Sequence, residues 1–207
     1  MYVFRLLRFL EVTLAEILER QTHIVQSAQP LFAQFGLKNV TTDDIAREAR
    51  VSKSTIYKHF KNKTEIFDRV IQDEADLLLA LISEVVAAEE KAVDKLRAHL
   101  MIRLGKVSEF VNFFRVTQKS WGDYWPHISQ VRAEFLEKER KAVAEILACG
   151  VRTGELYLDN LDKAALVMVL ALASIEHQWF LDADRGALPE LVDTMLEMMV
   201  NGIGRRP

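Results

Sequence analysis

The chain has 207 residues, of which half are hydrophobic and 28% are charged, and its formal net charge is -3. This composition is too apolar for a disordered chain, and eight glycines with four prolines are too few for a many-stranded all-β fold. The single cysteine excludes an internal disulfide and any site built from several cysteines. No signal-peptide cleavage pattern follows the first ten residues, and no uncharged run reaches the roughly 20 residues of a membrane span. We therefore expect a cytoplasmic globular protein with no membrane partner, no metal and no cofactor.

Apolar residues recur at helical spacing along nearly the whole chain. Ile24, Ala28 and Phe32 follow one another at steps of four, and similar steps recur after residue 67. No Asn-Gly or Asp-Gly hairpin signal occurs, so the pattern predicts an all-α protein of nine or ten helices. Beyond residue 90, helices are predicted near 91–105, 107–120, 127–149, 161–181 and 188–203, with breaks around Gly105, Gly122 to Pro126, Gly150 to Gly154 and Gly186 to Pro189.

Charge divides the chain into a basic part and an acidic part. Residues 20–63 contain eight Lys or Arg against three acidic residues, whereas residues 64–207 contain 17 against 24. This asymmetry indicates that the first part meets a polyanion and the second does not. A chance fluctuation of surface charge is the alternative.

Two short helices joined by a tight turn are predicted in the basic part. Thr41 precedes Asp44 by three residues, which is a capping-box-like start with Asp in place of Glu or Gln. Ser52 precedes Thr55 by the same spacing and is expected to cap a second helix, Lys53 to Phe60. The pattern therefore predicts a helix-turn-helix.

The surface of the second short helix suits a nucleic acid. Residues 50–63 contain five Lys or Arg residues and one His but no acidic residue. Cations and small polar groups of this kind can contact the phosphates and the major-groove edges of DNA. A solvated basic helix between two bundle helices would show the same pattern.

Several motifs at fixed spacing carry a family resemblance. They are Ala28-x-x-Leu31-Phe32-x-x-x-Gly36, then Thr41-x-x-x-Ile45-Ala46-x-x-Ala49-x-Val51-Ser52, then Tyr57-x-His59-Phe60-x-Asn62-Lys63. Over about residues 20–68 the chain resembles the DNA-binding domain of the TetR family of bacterial repressors. The resemblance implies an all-helical homodimer, with an N-terminal three-helix helix-turn-helix head and a C-terminal helical bundle for effector binding and dimerisation.

The resemblance also implies a division into segments. Residues 20–66 would form the DNA-binding head, and residues 67–207 the body. Family members usually begin close to residue 20, so residues 1–19 would be an N-terminal extension. Apolar residues at helical spacing predict that this extension is a helix continuous, or nearly so, with the first helix of the head.

The resemblance further implies which residues contact DNA. Lys63 would clamp the backbone, while Ser54, Thr55 and Lys58 are the candidates for base readout. Arg50 stands where the family usually has glycine; a positive φ there would cost about 1 kcal/mol, although the cation could contact a phosphate. The complete predicted set, whose other members would cap helices or position the protein on phosphates, is Thr41, Arg50, Ser52, Lys53, Ser54, Thr55, Tyr57, Lys58, His59, Lys61 and Lys63.

Two features of the body concern a ligand and a partner subunit. Aromatic residues concentrate at 110–125, where they suit either a pocket for an apolar or aromatic effector or an ordinary bundle core. The predicted pocket residues are His99, Phe110, Phe113, Phe114, Trp121, Tyr124 and Trp125. The last two helices are the most apolar, and the resemblance implies that they form a dimer interface, with an intrachain core as the alternative. The predicted interface residues are Leu166, Val169, Leu172, Ala173, Leu191, Met195 and Met198.

Enzyme motifs are absent from the sequence. It contains no His-Glu-x-x-His, no Gly-x-Ser-x-Gly and no Gly-x-x-x-x-Gly-Lys motif, and Cys149 is interpreted as a packed thiol. We therefore expect a regulator and not an enzyme: a homodimeric repressor released from a palindromic double-stranded DNA operator by a small-molecule effector. A helix-turn-helix regulator without an effector and a helical-bundle enzyme are the alternatives.

Overall fold

The computed structural model describes the backbone of residues 2–106, 109–114, 121–182 and 188–203, and every regular element in these ranges is an α-helix. The all-α prediction is confirmed. The chain divides into two compact units, Met1–Asp73 and Glu74–Pro207. In chain order the helices are α1 (Tyr2–Asn39), α2 (Thr42–Glu48), α3 (Lys53–His59), α4 (Lys63–Ala88), α5 (Ala92–Gly105), α6 (Val111–Phe114), α7 (Trp121–Thr153), α8 (Leu161–Asp182) and α9 (Leu188–Ile203).

The long helix α1 includes the predicted N-terminal extension. Its backbone is helical from Tyr2 onward, which confirms the predicted continuity for residues 2–19. Pro30 lies inside α1, but the dihedral angles that leave the helical region are those of Gly36, with φ 78° and ψ 160°. That conformation is open almost only to glycine, so Gly36 breaks the helical path shortly before α2.

The first unit packs α1, α2, α3 and the start of α4 around a small apolar core. Ile24, Phe32, Ile45, Ile56 and Phe67 are each at most 1% exposed. Phe32 and Phe67 meet edge to face with their ring centroids 5.1 Å apart, a geometry that adds about 0.5–1.5 kcal/mol to their burial. This core holds the apolar side of α3 and leaves its other side in solvent.

The helix α7 crosses two positions at which breaks were predicted. The break predicted at Gly122 and Pro126 is wrong, because the helix runs through both, and the break predicted over Gly150 to Gly154 falls at Gly154, since the helix also runs through Gly150. A Cβ on Gly150 would lie 2.6 Å from Leu156 Cδ1 and 2.8 Å from Ala92 Cβ, so this glycine allows close packing. The helix instead ends before Gly154, whose φ of 76° lies in the left-handed region that favours glycine.

The second unit packs α5, α7, α8 and α9 around an aliphatic core. The helix predicted over 107–120 is described only as α6, since residues 107–108 and 115–120 lie outside the described ranges. In the part of the chain that is described, no helix is both long and apolar enough to cross a bilayer. Among the core residues at most 1% exposed are Leu96, Leu100, Val143, Leu147, Val169, Leu172 and Val192.

Candidate nucleic-acid interface and candidate ligand cavity

Side-chain caps fix the starts of both short helices. The Thr41 hydroxyl accepts a hydrogen bond from the Asp44 N–H at 3.2 Å, and the Asp44 carboxylate accepts one from the Thr41 N–H at 3.0 Å. Ser52 caps α3 by accepting from the Thr55 N–H at 3.0 Å. Both predicted caps are confirmed. The hydrogen bonds from Thr41 also lower the pKa of the Asp44 carboxyl, which keeps this cap ionised.

Arg50 occupies a left-handed position in the turn between α2 and α3. Its φ is 52°, and it is the one non-glycine residue with positive φ in the described part of the chain. This conformation costs an arginine about 1 kcal/mol more than a glycine. The side chain is exposed, so the turn presents a cation to solvent.

The recognition helix α3 has one buried and one exposed side. Ile56 is fully buried, and Phe60 is 6% exposed just beyond the helix end at His59, one residue before the predicted end. On the opposite side Tyr57 is 52% exposed and Lys58 is exposed as well. The exposed or half-buried residues include the whole predicted DNA-binding set: Thr41, Arg50, Ser52, Lys53, Ser54, Thr55, Tyr57, Lys58, His59, Lys61 and Lys63.

The candidate base-reading side chains differ in whether they already form hydrogen bonds or ion pairs within the head. Ser52 Oγ lies 2.8 Å from both Ser54 Oγ and Thr55 Oγ1, so these hydroxyls already share hydrogen bonds. Lys58 forms no ion pair with any residue that the structure describes. Its ammonium is therefore available to a base edge or a phosphate without breaking a contact in the head.

Lys63 is held inside the head. Its Nζ donates to the carbonyl oxygens of Leu37 at 2.8 Å, Lys38 at 3.2 Å and Val40 at 2.8 Å. An ammonium has three hydrogens, so these bonds engage all of its donors. The structure thus gives Lys63 a role in joining the start of α4 to the end of α1. Its predicted phosphate contact stays a prediction, as do the other DNA contacts.

A cavity of about 300 Å³ lies in the second unit between α4, α5 and α7. Its apolar wall is aliphatic, and no Phe, Tyr or Trp belongs to the wall that the described residues form. The apolar lining residues are Leu79, Ile82, Val86, Ala87, Ala142 and Ile146. The polar lining residues are Ser83, Lys95, His99, Glu139, Glu145 and Cys149.

Two residues of this wall belong to a buried ionic cluster. His99, Arg103 and Glu139 are each at most 1% exposed. Glu139 Oε1 accepts from Arg103 Nε at 2.8 Å and lies 3.0 Å from His99 Nε2. The other carboxylate oxygen, Oε2, and the other ring nitrogen, Nδ1 of His99, have no hydrogen-bond partner among the described residues.

Contacts within the cluster shift the pKa of Glu139, and burial shifts the pKa of the nearby Arg132. Burial by itself would raise the pKa of Glu139, but the Arg103 charge and the hydrogen bonds from His99 and Arg103 hold that pKa below its usual value. Burial and the repulsion from Arg103 lower the pKa of Arg132 to about 10, against the attraction of Glu139. Because Glu139 is ionised at neutral pH, His99 bonds to it through a protonated Nε2.

Contacts lead from this cluster to α4. The Arg103 guanidinium lies 4.7 Å from the centroid of the Phe135 ring, which packs against Phe113 with a centroid distance of 5.0 Å. The N–H of Phe113 donates to Glu74 of α4 at 2.8 Å. Glu139 in the cavity wall is therefore connected to Glu74 by a continuous series of packed or hydrogen-bonded groups.

The predicted aromatic pocket overlaps the cavity at one residue, His99. Phe110 and Phe113 are 4% and 1% exposed and pack in the interior outside the cavity wall, whereas Trp125 is 38% exposed. A pocket built from residues 110–125 stays a prediction. Glu139 is not among the predicted site residues, and Cys149, which is predicted to be a packed thiol, is half-buried in the cavity wall. Predicted side chains that lie outside the described residues are Phe114, Trp121 and Tyr124.

The predicted interface residues differ in exposure. Leu166 and Met198 are 44% and 73% exposed, whereas Val169 and Leu172 are buried in the core of their own chain. Two exposed apolar residues outside the predicted set, Val167 at 66% and Leu170 at 51%, lie beside Leu166 on α8. The half-buried members of the predicted set are Ala173, Leu191 and Met195.

Known proteins are similar in sequence to this chain, most clearly in the head. Residues 24–70 match the family model described as bacterial regulatory proteins, tetR family. Over 87 residues the chain is 33% identical to the nucleoid occlusion factor SlmA of Sodalis glossinidius (strain morsitans), covering 42% of this chain and 44% of SlmA. Over 201 residues it is 26% identical to the Probable acrEF/envCD operon repressor of Escherichia coli (strain K12), covering 91% of this chain and 90% of that protein.

A solved structure has a fold similar to that of most of the chain. A transcriptional regulator from Saccharomonospora viridis, crystallised in complex with choline, aligns with a TM-score of 0.72 at 20% identity. The alignment covers 91% of this chain and 99% of that one. The family match at residues 24–70 also coincides with the capped, cationic α2–α3 pair. Residues 24–70 therefore form a DNA-binding domain of the type found in TetR-family transcriptional regulators.

Proposed function

We propose that this protein is a cytoplasmic homodimeric repressor that binds a palindromic double-stranded DNA operator and is released by a small ligand in the cavity between α4, α5 and α7. The exposed cationic side of α3, opposite its buried side, carries the proposal. One α3 helix of each subunit would enter the major groove, with half-sites roughly 34–36 Å apart. The name of the Escherichia coli relative supports repression as the direction of control.

Within the head, the contacts divide between readout and positioning. Lys58 is the strongest candidate for base readout, because its ammonium is uncommitted among the described residues. Ser54 and Thr55 can reach base edges only by giving up or sharing their bonds with Ser52. Arg50 and Lys61 are exposed cations that would position the head on phosphates.

The exposed apolar side of α8 supports a homodimer. Leu166, Val167 and Leu170 are between 44% and 66% exposed, and apolar residues grouped in this way mark interaction surfaces. We expect Leu170→Glu to convert the dimer to a monomer in light scattering and to weaken operator binding. Leu77→Glu is the matched control, because Leu77 is 53% exposed on α4 and its replacement should leave the dimer intact. A dimeric Leu170→Glu protein would contradict this interface.

The cavity supports control by a ligand. Its volume is at the lower end of the range for small-molecule sites, and the structural neighbour from Saccharomonospora viridis was crystallised with choline. The helix α4 contributes Leu79, Ile82 and Val86 to the wall and begins at Lys63 in the head. A ligand that shifts α4 would alter the placement of α3. A useful switch needs about 1–3 kcal/mol of coupling between ligand and operator.

Alkylation of the one cysteine tests this control before any natural ligand is identified. Cys149 lies in the cavity wall, so N-ethylmaleimide would place a bulky adduct there. We expect the adduct to weaken binding to the DNA upstream of the protein's own gene by about fivefold or more, with the melting temperature checked in parallel. Cys149→Ser treated in the same way is the control. A folded adduct with unchanged operator affinity would contradict control through the cavity and favour a regulator without an effector.

A further inference from the structure

Among the described residues of the cavity wall, the one lysine or arginine is Lys95, and its ammonium is already engaged. Lys95 Nζ donates to the carbonyl oxygen of Val86 at 3.0 Å and also to the carbonyl oxygen of Glu89. Val86 lies in the last turn of α4 and Glu89 follows the helix directly, where backbone carbonyls lack partners within the helix. Lys95 thus serves the local structure and is a poor partner for an anionic ligand.

The remaining polar groups of the wall are mainly acceptors. Glu139 Oε2 and His99 Nδ1 lie on fully buried residues and have no partner in the described part of the chain. A buried acceptor without a donor destabilises the fold, because it has lost its hydrogen bonds to water. Glu145 adds a second carboxylate at the exposed part of the wall, and no described residue forms an ion pair with it.

We propose that the cavity selects an organic ammonium ion that carries at least one N–H group and an aliphatic body of roughly ten non-hydrogen atoms, a size set by its volume of about 300 Å³. Glu139 Oε2 has no surface open to solvent, so the N–H groups would donate to it after the side chains that cover it shift, and the charge would be balanced by Glu145. The inference rests on the proposed function only in naming this ion as the effector.

Other ligand classes fit the wall less well. A fatty carboxylate would meet the uncompensated charge of Glu145 and the acceptor oxygen of Glu139, whose own charge is paired with Arg103, while Lys95 is committed elsewhere. A neutral alcohol can donate one hydrogen bond but lacks the charge that strengthens a bond to a carboxylate. A quaternary ammonium ion has no N–H and is usually held by aromatic faces, which the described wall does not supply.

Four probes of similar size test the class on the full chain: 1-octylammonium, 1-octanol, octanoate and hexyltrimethylammonium. Calorimetry gives their affinities, and protection of Cys149 from iodoacetamide, followed by intact mass, reports whether each occupies the cavity. We expect octylammonium to bind about tenfold more tightly than octanol or the quaternary ion, and octanoate to bind most weakly. Octylammonium should also slow the alkylation of Cys149.

Two variants locate the charge that is recognised. Glu145→Gln should weaken octylammonium binding about twofold to fivefold, whereas Glu84→Gln, at an exposed position of α4 outside the wall, should leave it unchanged. Glu139→Gln should weaken it by about tenfold or more, provided that its melting transition shows a folded protein. The probe series on the unaltered protein and Glu145→Gln test the inference even if Glu139→Gln fails to fold.

The outcomes separate this inference from the proposed function. Binding of octanoate or octanol as tight as that of octylammonium would overturn the ligand class, and release of operator by either one would still support control through the cavity. Octylammonium that protects Cys149 but leaves operator affinity unchanged would support the ligand class and contradict the switch. Equal binding to the wild type and Glu145→Gln, without protection of Cys149, would overturn the site itself.

Discussion

The two units of the chain place their polar side chains differently. In the head, Thr41, Asp44 and Ser52 satisfy backbone groups three residues away and remain at the surface, beside a row of exposed cations. In the body, Glu139 and Arg103 are fully buried and meet across 36 residues of chain. Since exposed charges contribute little to folding and buried ones contribute much when a partner is lost, substitutions should separate by unit. Those on the exposed face of the head should change DNA binding, and those in the cluster should change stability.

The largest effect is expected at the buried ion pair. Glu139→Leu leaves the Arg103 guanidinium buried without its carboxylate, so the free energy of unfolding in a urea titration should fall by about 3–5 kcal/mol. The double variant with Arg103→Met should recover part of this loss, because both charges are then removed.

The exposed pair between Arg97 and Asp193, at 2.7 Å, provides the matched control for that substitution. Arg97→Leu should leave the unfolding free energy unchanged within error, since this pair lies in solvent. Equal losses for Glu139→Leu and Arg97→Leu would remove the distinction between the buried cluster and the surface.

Lys63 is an exception to the difference between the two units, because it is a cation of the head that stabilises the fold. Lys63→Met removes the donor to three carbonyls, and we expect a loss of about 1.5–3 kcal/mol in unfolding free energy. Lys61→Met, at an exposed position, should leave stability unchanged but lower the salt slope of DNA binding by about 1. If Lys63→Met has the same free energy of unfolding as the wild type, the three hydrogen bonds do not contribute to stability.

Packing in the body can be tested at a glycine. Gly150→Ala places a Cβ within 2.8 Å of Ala92 Cβ and closer still to Leu156, and should lower the unfolding free energy by about 1–3 kcal/mol. Gly105→Ala is the control, because the nearest atom to its new Cβ, in Leu188, is 3.5 Å away. A Gly150→Ala protein as stable as Gly105→Ala would show that α5 and α7 do not pack this closely.

The smallest effect in stability is expected at the turn of the head. Arg50→Gly relieves a positive φ and should raise the unfolding free energy by about 1 kcal/mol. The same change removes a cation, so it should lower the salt slope of operator binding by about 1. Arg50→Lys keeps both the strain and the charge, and should resemble the wild type in both measurements. If Arg50→Gly gains stability but keeps the full salt slope of operator binding, then Arg50 does not contact a phosphate.

Much of the head could be predicted from the sequence because its determinants are close together in the chain. The spacing of Thr41 to Asp44 and of Ser52 to Thr55 predicts both caps, and the helical period predicts the burial of Ile56 and Phe60. The hydrogen bonds of Lys63 could not be predicted. Their acceptors lie 23 to 26 residues away, at and just beyond the end of α1, where the backbone geometry depends on the fold.

The body was less predictable because its site is assembled from separate helices. Nothing near Glu139 in the sequence indicates that it meets His99 and Arg103, and only its position on the buried side of α7 could have drawn attention to it. The aromatic residues at 110–125 suggest a pocket, but Phe110 and Phe113 are buried and pack in the core. Gly150 was mistaken for a helix end, because close packing and chain termination both favour glycine.

The most direct test of the account is the affinity of the full chain for the DNA upstream of its own gene, compared with random DNA of equal length, between 50 and 200 mM salt. We predict tighter binding to the upstream DNA and a logarithm of the binding constant that falls linearly with the logarithm of salt concentration, by about 0.9 for each phosphate contact. Lys58→Ala should reduce the preference for the upstream DNA by about 1–3 kcal/mol. Affinity independent of salt, or equal affinity for both DNAs in the wild type, would contradict the role assigned to α3.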